Sequence, residues 1–229
     1  MRQSRWNRFG FAIAGSAFVL VLAGQAIQNI HPLTGRSIAP VMGAAGADWL
    51  DRPEREKEEN PELALDAIGI RQGMVVADIG AGTGYMSLRM AKRVGPAGKV
   101  YANDIQPEML RRLRQNAERA KLTNIETILG SDVDPKLPSG QLDLVLLVDV
   151  YHEFAQPQKM LRNIREALKP GGRLVLLEYR KEDPSIPILT VHKMTVAEVK
   201  KELEAERFKL AQVIESLPRQ HILILTRAP

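Results

Sequence analysis

Residues 74–85 read MVVADIGAGTGY, and this stretch decides the fold. Its first half is a short apolar run rich in valine, the pattern of a buried strand over 74–80. Gly80, Gly82 and Gly84 follow, and Met86, Leu88, Met90, Ala91 and Val94 then recur at helical spacing over 85–94. The unit is therefore strand, glycine turn, helix. Glycine permits a tight turn and a close backbone approach to a ligand, and the first turn of the helix presents free N–H groups beside it. A dinucleotide-binding loop needs its third glycine three residues after the second. Here it comes two after, and no Gly-Lys-Ser/Thr follows to make a P-loop.

The same alternation continues outward on both sides. Upstream, Asn60 before Pro61 starts a helix with Leu63, Leu65, Ile68 and Ile70 on its apolar side, ended by Gly69 and Gly73. Downstream, strands are predicted at 99–103, 125–129, 142–148 and 173–179, with helices at 107–121 and 157–168. Lys169-Pro170-Gly171-Gly172 stops the latter helix. Thr195 with Glu198 three residues on forms a capping box for a helix over 195–207. Two last strands, 210–214 and 221–226, are joined only by residues 215–220, which makes them an antiparallel hairpin. Fully apolar strands alternating with helices imply a sheet covered on both faces. The expected fold class is α/β: a doubly wound, Rossmann-like, seven-stranded, mostly parallel sheet with an antiparallel last strand, in a three-layer sandwich.

Acidic residues mark the carboxyl ends of the strands, where open α/β sheets bind ligands. Asp78 ends the first strand. Asp104 ends the second, twenty residues beyond Gly84, where an acid can accept both hydroxyls of a ribose. Asp132 follows the third strand, at an edge that can take the amino group of an adenine. DIGAGTGY (78–85), GKVYANDIQPEML (98–110), GSDVDPKLP (130–138), LDLVLLVDVYHEF (142–154) and LKPGGRLVLLEY (168–179) resemble successive motifs of the class I S-adenosylmethionine-dependent methyltransferases. The resemblance covers about residues 60–227. It implies S-adenosyl-L-methionine as cofactor, held by Asp78, Gly80, Gly82, Gly84, Asp104, Ile105, Asp132, Val133 and Asp149. It also places Asp149 on the methyl-transfer site.

Methyl transfer from a sulfonium is an in-line displacement that asks mainly for alignment and exclusion of water, worth about 7–11 kcal/mol. The catalytic candidates are His152, Asp149 and Tyr151. His152 serves either as general base, with a reference pKa suited to neutral pH, or as a capping or structural histidine. Tyr151 can stack on or hydrogen-bond the substrate. Glu178 and Tyr179 read as core or rim, and His192 lies in a stretch that can cover the substrate. The expected acceptor is a small molecule, including membrane-soluble ones such as quinones and lipids. The motifs are similar to the quinone and sterol C-methyltransferase branch and to the protein isoaspartate O-methyltransferase branch. A protein carboxyl O-methyltransferase and a non-catalytic binding protein that kept the fold are the alternatives. Arsenite methylation loses support because its thiols are missing. Nucleic-acid amino methylation does too, since the fourth strand ends without the prolines of that motif.

The chain has 229 residues and no cysteine, which excludes disulfides, thiolate metal sites and cysteine nucleophiles. The histidines, at 31, 152, 192 and 221, show no metal-type spacing, and no metal is expected. The net charge of +5 sits almost wholly in residues 1–36, which carry four arginines and no acid, so the body is nearly neutral. Arg111, Arg112 and Arg114 read as a solvated helix face, and no nucleic-acid partner is expected. A basic octet precedes the uncharged run of residues 9–24, FGFAIAGSAFVLVLAG. That layout suggests a signal peptide or an N-terminal membrane anchor over residues 1–30, and an exported, periplasmic or membrane-anchored protein, with the cytoplasmic face left open. Residues 31–59 read as a linker or arm that Met42, Trp49 and Leu50 can pin to the body. Its RPEREKEE stretch (52–59) is either a solvated helical turn or a lid in which Arg52 or Arg55 meets a carboxylate. Residues 60–229 form the methyltransferase domain. Oligomeric state is left open.

Overall fold

The computed structural model describes residues 30–228. The arm carries a 3-10 turn at Ala44–Gly46 and two short helices, α1 (Ala47–Leu50) and α2 (Arg55–Glu59). Then follow α3 (Pro61–Ile68), β1 (Val75–Ile79), α4 (Tyr85–Val94), β2 (Lys99–Asp104), α5 (Pro107–Arg119), β3 (Ile125–Leu129) and β4 (Leu142–Val148). The chain closes with α6 (Pro157–Ala167), β5 (Leu168–Tyr179), α7 (Val196–Ala205), β6 (Phe208–Ile214) and β7 (Gln220–Arg227). Single 3-10 turns, Tyr151–Glu153 and Thr190–His192, follow β4 and β5.

The seven strands form one sheet in the order β3-β2-β1-β4-β5-β7-β6. β1 through β5 pair in parallel, and β7 runs antiparallel between β5 and β6. This is the Rossmann-like arrangement expected from the sequence. The strand order reverses between β1 and β4, which opens a crevice at their carboxyl ends.

Alternation along β1 and β4 explains the two covered faces. Val76, Leu144 and Leu146 point to one side, where Leu65 and Ile68 of α3 and Met86 and Met90 of α4 pack on them. Ala77, Val145 and Leu147 point to the other, against Met160, Leu161 and Ile164 of α6 and Val199 and Leu203 of α7. Each such buried aliphatic side chain stabilises the fold by roughly 1.5–3 kcal/mol.

The local signals act as the sequence implies. The Asn60 side chain accepts the Leu63 N–H, and Gly69 takes the left-handed conformation that ends α3. Thr195 and Glu198 complete both bonds of their capping box. One boundary differs. β5 begins at Leu168 rather than Arg173, because Leu142 pairs with Leu168 and Leu144 with Arg173. The Pro-Gly-Gly segment is accommodated as an irregularity inside the strand pairing instead of separating helix from strand.

The expectation of an exported or membrane-anchored protein is corrected. Among the described residues no helix is long and apolar enough to cross a membrane. The segment that prompted the expectation, apart from Ile30, lies outside the described residues.

Candidate active site

A cavity of about 390 Å³ opens at the carboxyl ends of β1, β2 and β4. Its floor is the glycine turn. Gly80, Gly82 and Gly84 all take positive φ, but they do different things. A Cβ on Gly80 would stand 2.2 Å from Val150 Cγ2, and one on Gly84 2.4 Å from Leu88 Cδ1. These two glycines therefore let the turn pack against β4's end and let α4 start. Gly82 faces the arm, 3.0 Å from Leu50 Cδ1.

Three acids line the cavity at the strand ends. Asp78 is buried and accepts the Ser87 hydroxyl at 2.6 Å. Burial pushes its carboxyl up to about 6, with the Ser87 hydrogen bond and Arg55 opposing. Asp104 Oδ2 accepts the Gly82 N–H and Oδ1 the Gln106 N–H. Burial raises its pKa, and those backbone donors oppose the rise. Asp149 has a φ of 53°, a left-handed conformation that a non-glycine residue adopts at a cost. Its Oδ2 accepts Gln220 Nε2 at 2.7 Å, while its buried Oδ1 has no hydrogen-bond partner. Burial, then Glu59 and Glu178, hold its carboxyl well above the usual range.

Beyond Asp149 the turn Tyr151–Glu153 delivers a chain of buried groups. His152 Nδ1 lies 2.6 Å from Glu178 Oε2, and Glu178 Oε1 accepts the Tyr151 N–H at 3.0 Å. His152 Nε2 lies 3.1 Å from Nδ1 of His192, which the turn Thr190–His192 brings in. Burial, followed by the proximity of His152, lowers the His192 pKa. Glu153 also lines the cavity, and burial pushes it up to about 7.

The arm forms the near wall and an apolar rim. Val41, Met42, Trp49 and Leu50 line the cavity with Ile105, Ile188 and Leu189. Gln106 Nε2 donates to the Met42 carbonyl, and Asp51 accepts the Thr83 hydroxyl. Further back, Arg36 clamps Glu202 with Nε and Nη2 and donates from Nη1 to the His152 carbonyl. The RPEREKEE stretch is not a solvated turn throughout. Arg55 is buried, paired with Glu59 at 2.8 Å, and stacked 4.0 Å from the Tyr85 ring centroid.

The structure thus gathers Asp78, Gly80, Gly82, Asp104, Ile105, Asp132, Asp149 and His152 around one cavity. Asp132 is exposed at its edge. Neither Gly84 nor Val133 is among the lining residues: Gly84 caps the start of α4, and the Val133 carbonyl accepts Asn163 Nδ2. Tyr151 is a correction: its side chain is fully buried and its hydroxyl donates to Glu202, so it turns away from the cavity. Arg55, Glu153, Tyr179 and His192 line the cavity as well. Sequence reading gave these four no part in the site, or a lesser one.

Comparison with known proteins agrees with this geometry. The profile of a methyltransferase domain matches residues 70–223. A protein-L-isoaspartate O-methyltransferase of Methanothrix thermoacetophila is 33% identical over 114 residues, covering 50% of this chain and 51% of that protein. A ubiquinone/menaquinone biosynthesis C-methyltransferase of Escherichia fergusonii is 30% identical over 120 residues, covering 52% of this chain and 48% of that protein. The chain thus spans about half the length of these curated relatives. The crystal structure of an S-adenosylmethionine-dependent methyltransferase from Aquifex aeolicus superposes with a TM-score of 0.77 at 26% identity, covering 81% of this chain and 98% of that one.

Proposed function

The chain belongs to the class I S-adenosylmethionine-dependent methyltransferases, and from that premise we propose that it methylates a small, largely apolar acceptor. The observation that carries this reading is the chain of buried Glu178 and His152 and half-buried His192, set beside Asp149 on the wall of a cavity with an apolar rim.

The residues present fit the cofactor. The unpartnered Asp149 Oδ1 suits an ammonium group. The Asp104 oxygens each accept one backbone N–H and keep lone pairs for a ribose diol. Ile105 and Met109 supply apolar wall for a base, and Asp132 a carboxylate at its edge. When bound, S-adenosylmethionine supplies a methyl group on a positively charged sulfur, already activated for displacement.

The chain's own part is positioning, dryness and the acceptor's proton. The arm and residues 187–189 wall the cavity from water. The Glu178 carboxylate beside Nδ1 favours the His152 tautomer with its proton on that nitrogen. His152 Nε2 is then basic, and through His192 Nδ1 it supports proton uptake at the His192 Nε2 end. A C- or O-acceptor with an acidic proton fits this array.

Calorimetry with S-adenosylhomocysteine, followed by turnover of a panel of phenols, quinols and isoaspartyl peptides read by mass spectrometry, tests the proposal. Micromolar binding and methylation of a phenol or quinol support it. Absence of binding below millimolar concentration overturns it. Binding with no turnover would favour a non-catalytic protein, and peptide turnover a carboxyl O-methyltransferase.

A further inference from the structure

We propose that His152, Glu153 and His192 form a binding site for one divalent transition-metal ion, with its open positions turned into the cavity. Among the described residues these three bring one ligand atom each to within 4.8 Å of one another.

The roles of the His152 nitrogens are set before any ion arrives. Glu178 fixes the His152 proton on Nδ1, so Nε2 carries a lone pair. A carboxylate behind a histidine in this way is the usual outer support of a metal ligand, fixing its tautomer and raising its basicity. The Tyr151 N–H holds that carboxylate in turn. Across from His152 Nε2 stands His192 Nδ1. In the tautomer with its proton on Nε2, His192 presents a second lone pair to the same point.

The spacing suits an ion set to one side of the line between the two nitrogens. Zinc–nitrogen bonds are about 2.0–2.1 Å, so two nitrogens on one ion stand about 2.9 Å apart at a right angle and about 3.4 Å apart at a tetrahedral angle. The observed separation is 3.1 Å. The rings meet edge to face, with planes at 83°, so they do not stack over the point between the two nitrogens. Glu153, next to His152 on the same 3-10 turn, supplies an oxygen and gives up any proton it holds when the ion binds. Two imidazoles and one carboxylate leave positions open, as in catalytic rather than structural metal sites. His221, by contrast, already has both nitrogens against Glu215 and Glu182.

All three ligands line the cavity. An ion there would take the place of the His152–His192 proton contact, and an acceptor with an oxygen donor, such as a phenol or enol, would complete the coordination. This identification of the acceptor rests on the methyl-transfer reading; the ion site does not.

The test uses the full chain, stripped with a chelator and titrated with zinc chloride by calorimetry and with cobalt chloride by absorption. One ion per chain at micromolar or tighter affinity is expected, with the intense visible bands of four- or five-coordinate cobalt. His192→Ala and Glu153→Gln should each weaken zinc roughly tenfold or more, while His221→Asn leaves it unchanged. Far-ultraviolet circular dichroism and the melting temperature report whether each variant is folded, and S-adenosylhomocysteine is titrated in parallel. Zinc affinity that is absent at 100 µM, or unaltered in a folded His192→Ala protein, overturns the site, as does a weak cobalt spectrum like that of the free aqua ion. Retained S-adenosylhomocysteine binding without zinc binding removes only the metal site. Zinc binding without S-adenosylhomocysteine binding removes only the methyl-transfer reading.

Discussion

Asp104 Oδ2 accepts the Gly82 N–H at 2.9 Å, so the acid at the end of β2 also pins the middle of the glycine turn at the end of β1. Ligand binding and loop shape are thereby tied to one carboxylate. Asp104→Ala leaves the N–H groups of Gly82 and Gln106 without these acceptors, at about 1–3 kcal/mol each when buried. S-adenosylhomocysteine affinity is expected to fall at least tenfold by calorimetry, and the melting temperature to drop with it. Asp104→Asn keeps one acceptor oxygen and should lose less stability.

Asp78 makes stability depend on pH. Its folded pKa of about 6 lies above the ordinary 3.8, so the folded state holds the proton more tightly than the unfolded one. Stability from this group is therefore full below about pH 4, falls as pH rises through 6, and is flat above that. The shift corresponds to roughly 3 kcal/mol. Asp78→Asn retains an acceptor for Ser87 and cannot ionise. In urea unfolding it should be more stable than the parent at pH 7.5, with the gap shrinking as pH falls toward 4.

The three glycines of the turn should not be equally sensitive. Gly80→Ala adds a left-handed penalty of about 1–2 kcal/mol and drives Cβ into Val150, where relief would have to come from β4's end. Gly82→Ala carries the same backbone penalty but meets only the tip of Leu50 on the arm. Chemical denaturation should show Gly80→Ala as clearly the more destabilising of the two.

Glu178→Gln preserves an acceptor for the Tyr151 N–H but removes the charge behind His152. The expected result is a kcat loss of roughly hundredfold or more, with S-adenosylhomocysteine affinity retained and the pH profile of kcat displaced. An unchanged profile would reduce Glu178 to a structural residue.

The Tyr179 hydroxyl, at the end of β5, donates to Glu59 at 2.9 Å, and Glu59 also receives Arg55. Tyr179→Phe should cost about 1 kcal/mol and raise hydrogen exchange in residues 47–59 more than in the sheet.

The fold was legible because β1 and β4 are apolar on both faces, a pattern that only a covered parallel sheet satisfies. The acids at the strand ends were legible for the same reason, since strand ends can be counted from the alternation. Contacts set by tertiary packing were not. His152 and His192 lie forty residues apart in two separate turns, and no spacing rule brings them together. Arg55 sits in a charge-alternating run that reads either as solvated or as a lid in which it meets a carboxylate, and the run itself does not choose between them. Its burial depends on Glu59 and on the ring of Tyr85, thirty residues on. Tyr151 looked available because it neighbours His152, but the 3-10 turn sends adjacent side chains in different directions, and Glu202 on α7 holds its hydroxyl.

Val41, Met42, Trp49, Leu50 and Arg55 line the cavity, yet all precede residue 70, where the match to the methyltransferase domain begins. Part of the cavity wall is thus supplied by chain outside the matched domain. Relatives that align over the domain alone need not share that wall. Exchanging residues 31–59 between such relatives, with methylated products read by mass spectrometry, tests whether the arm sets the choice of acceptor.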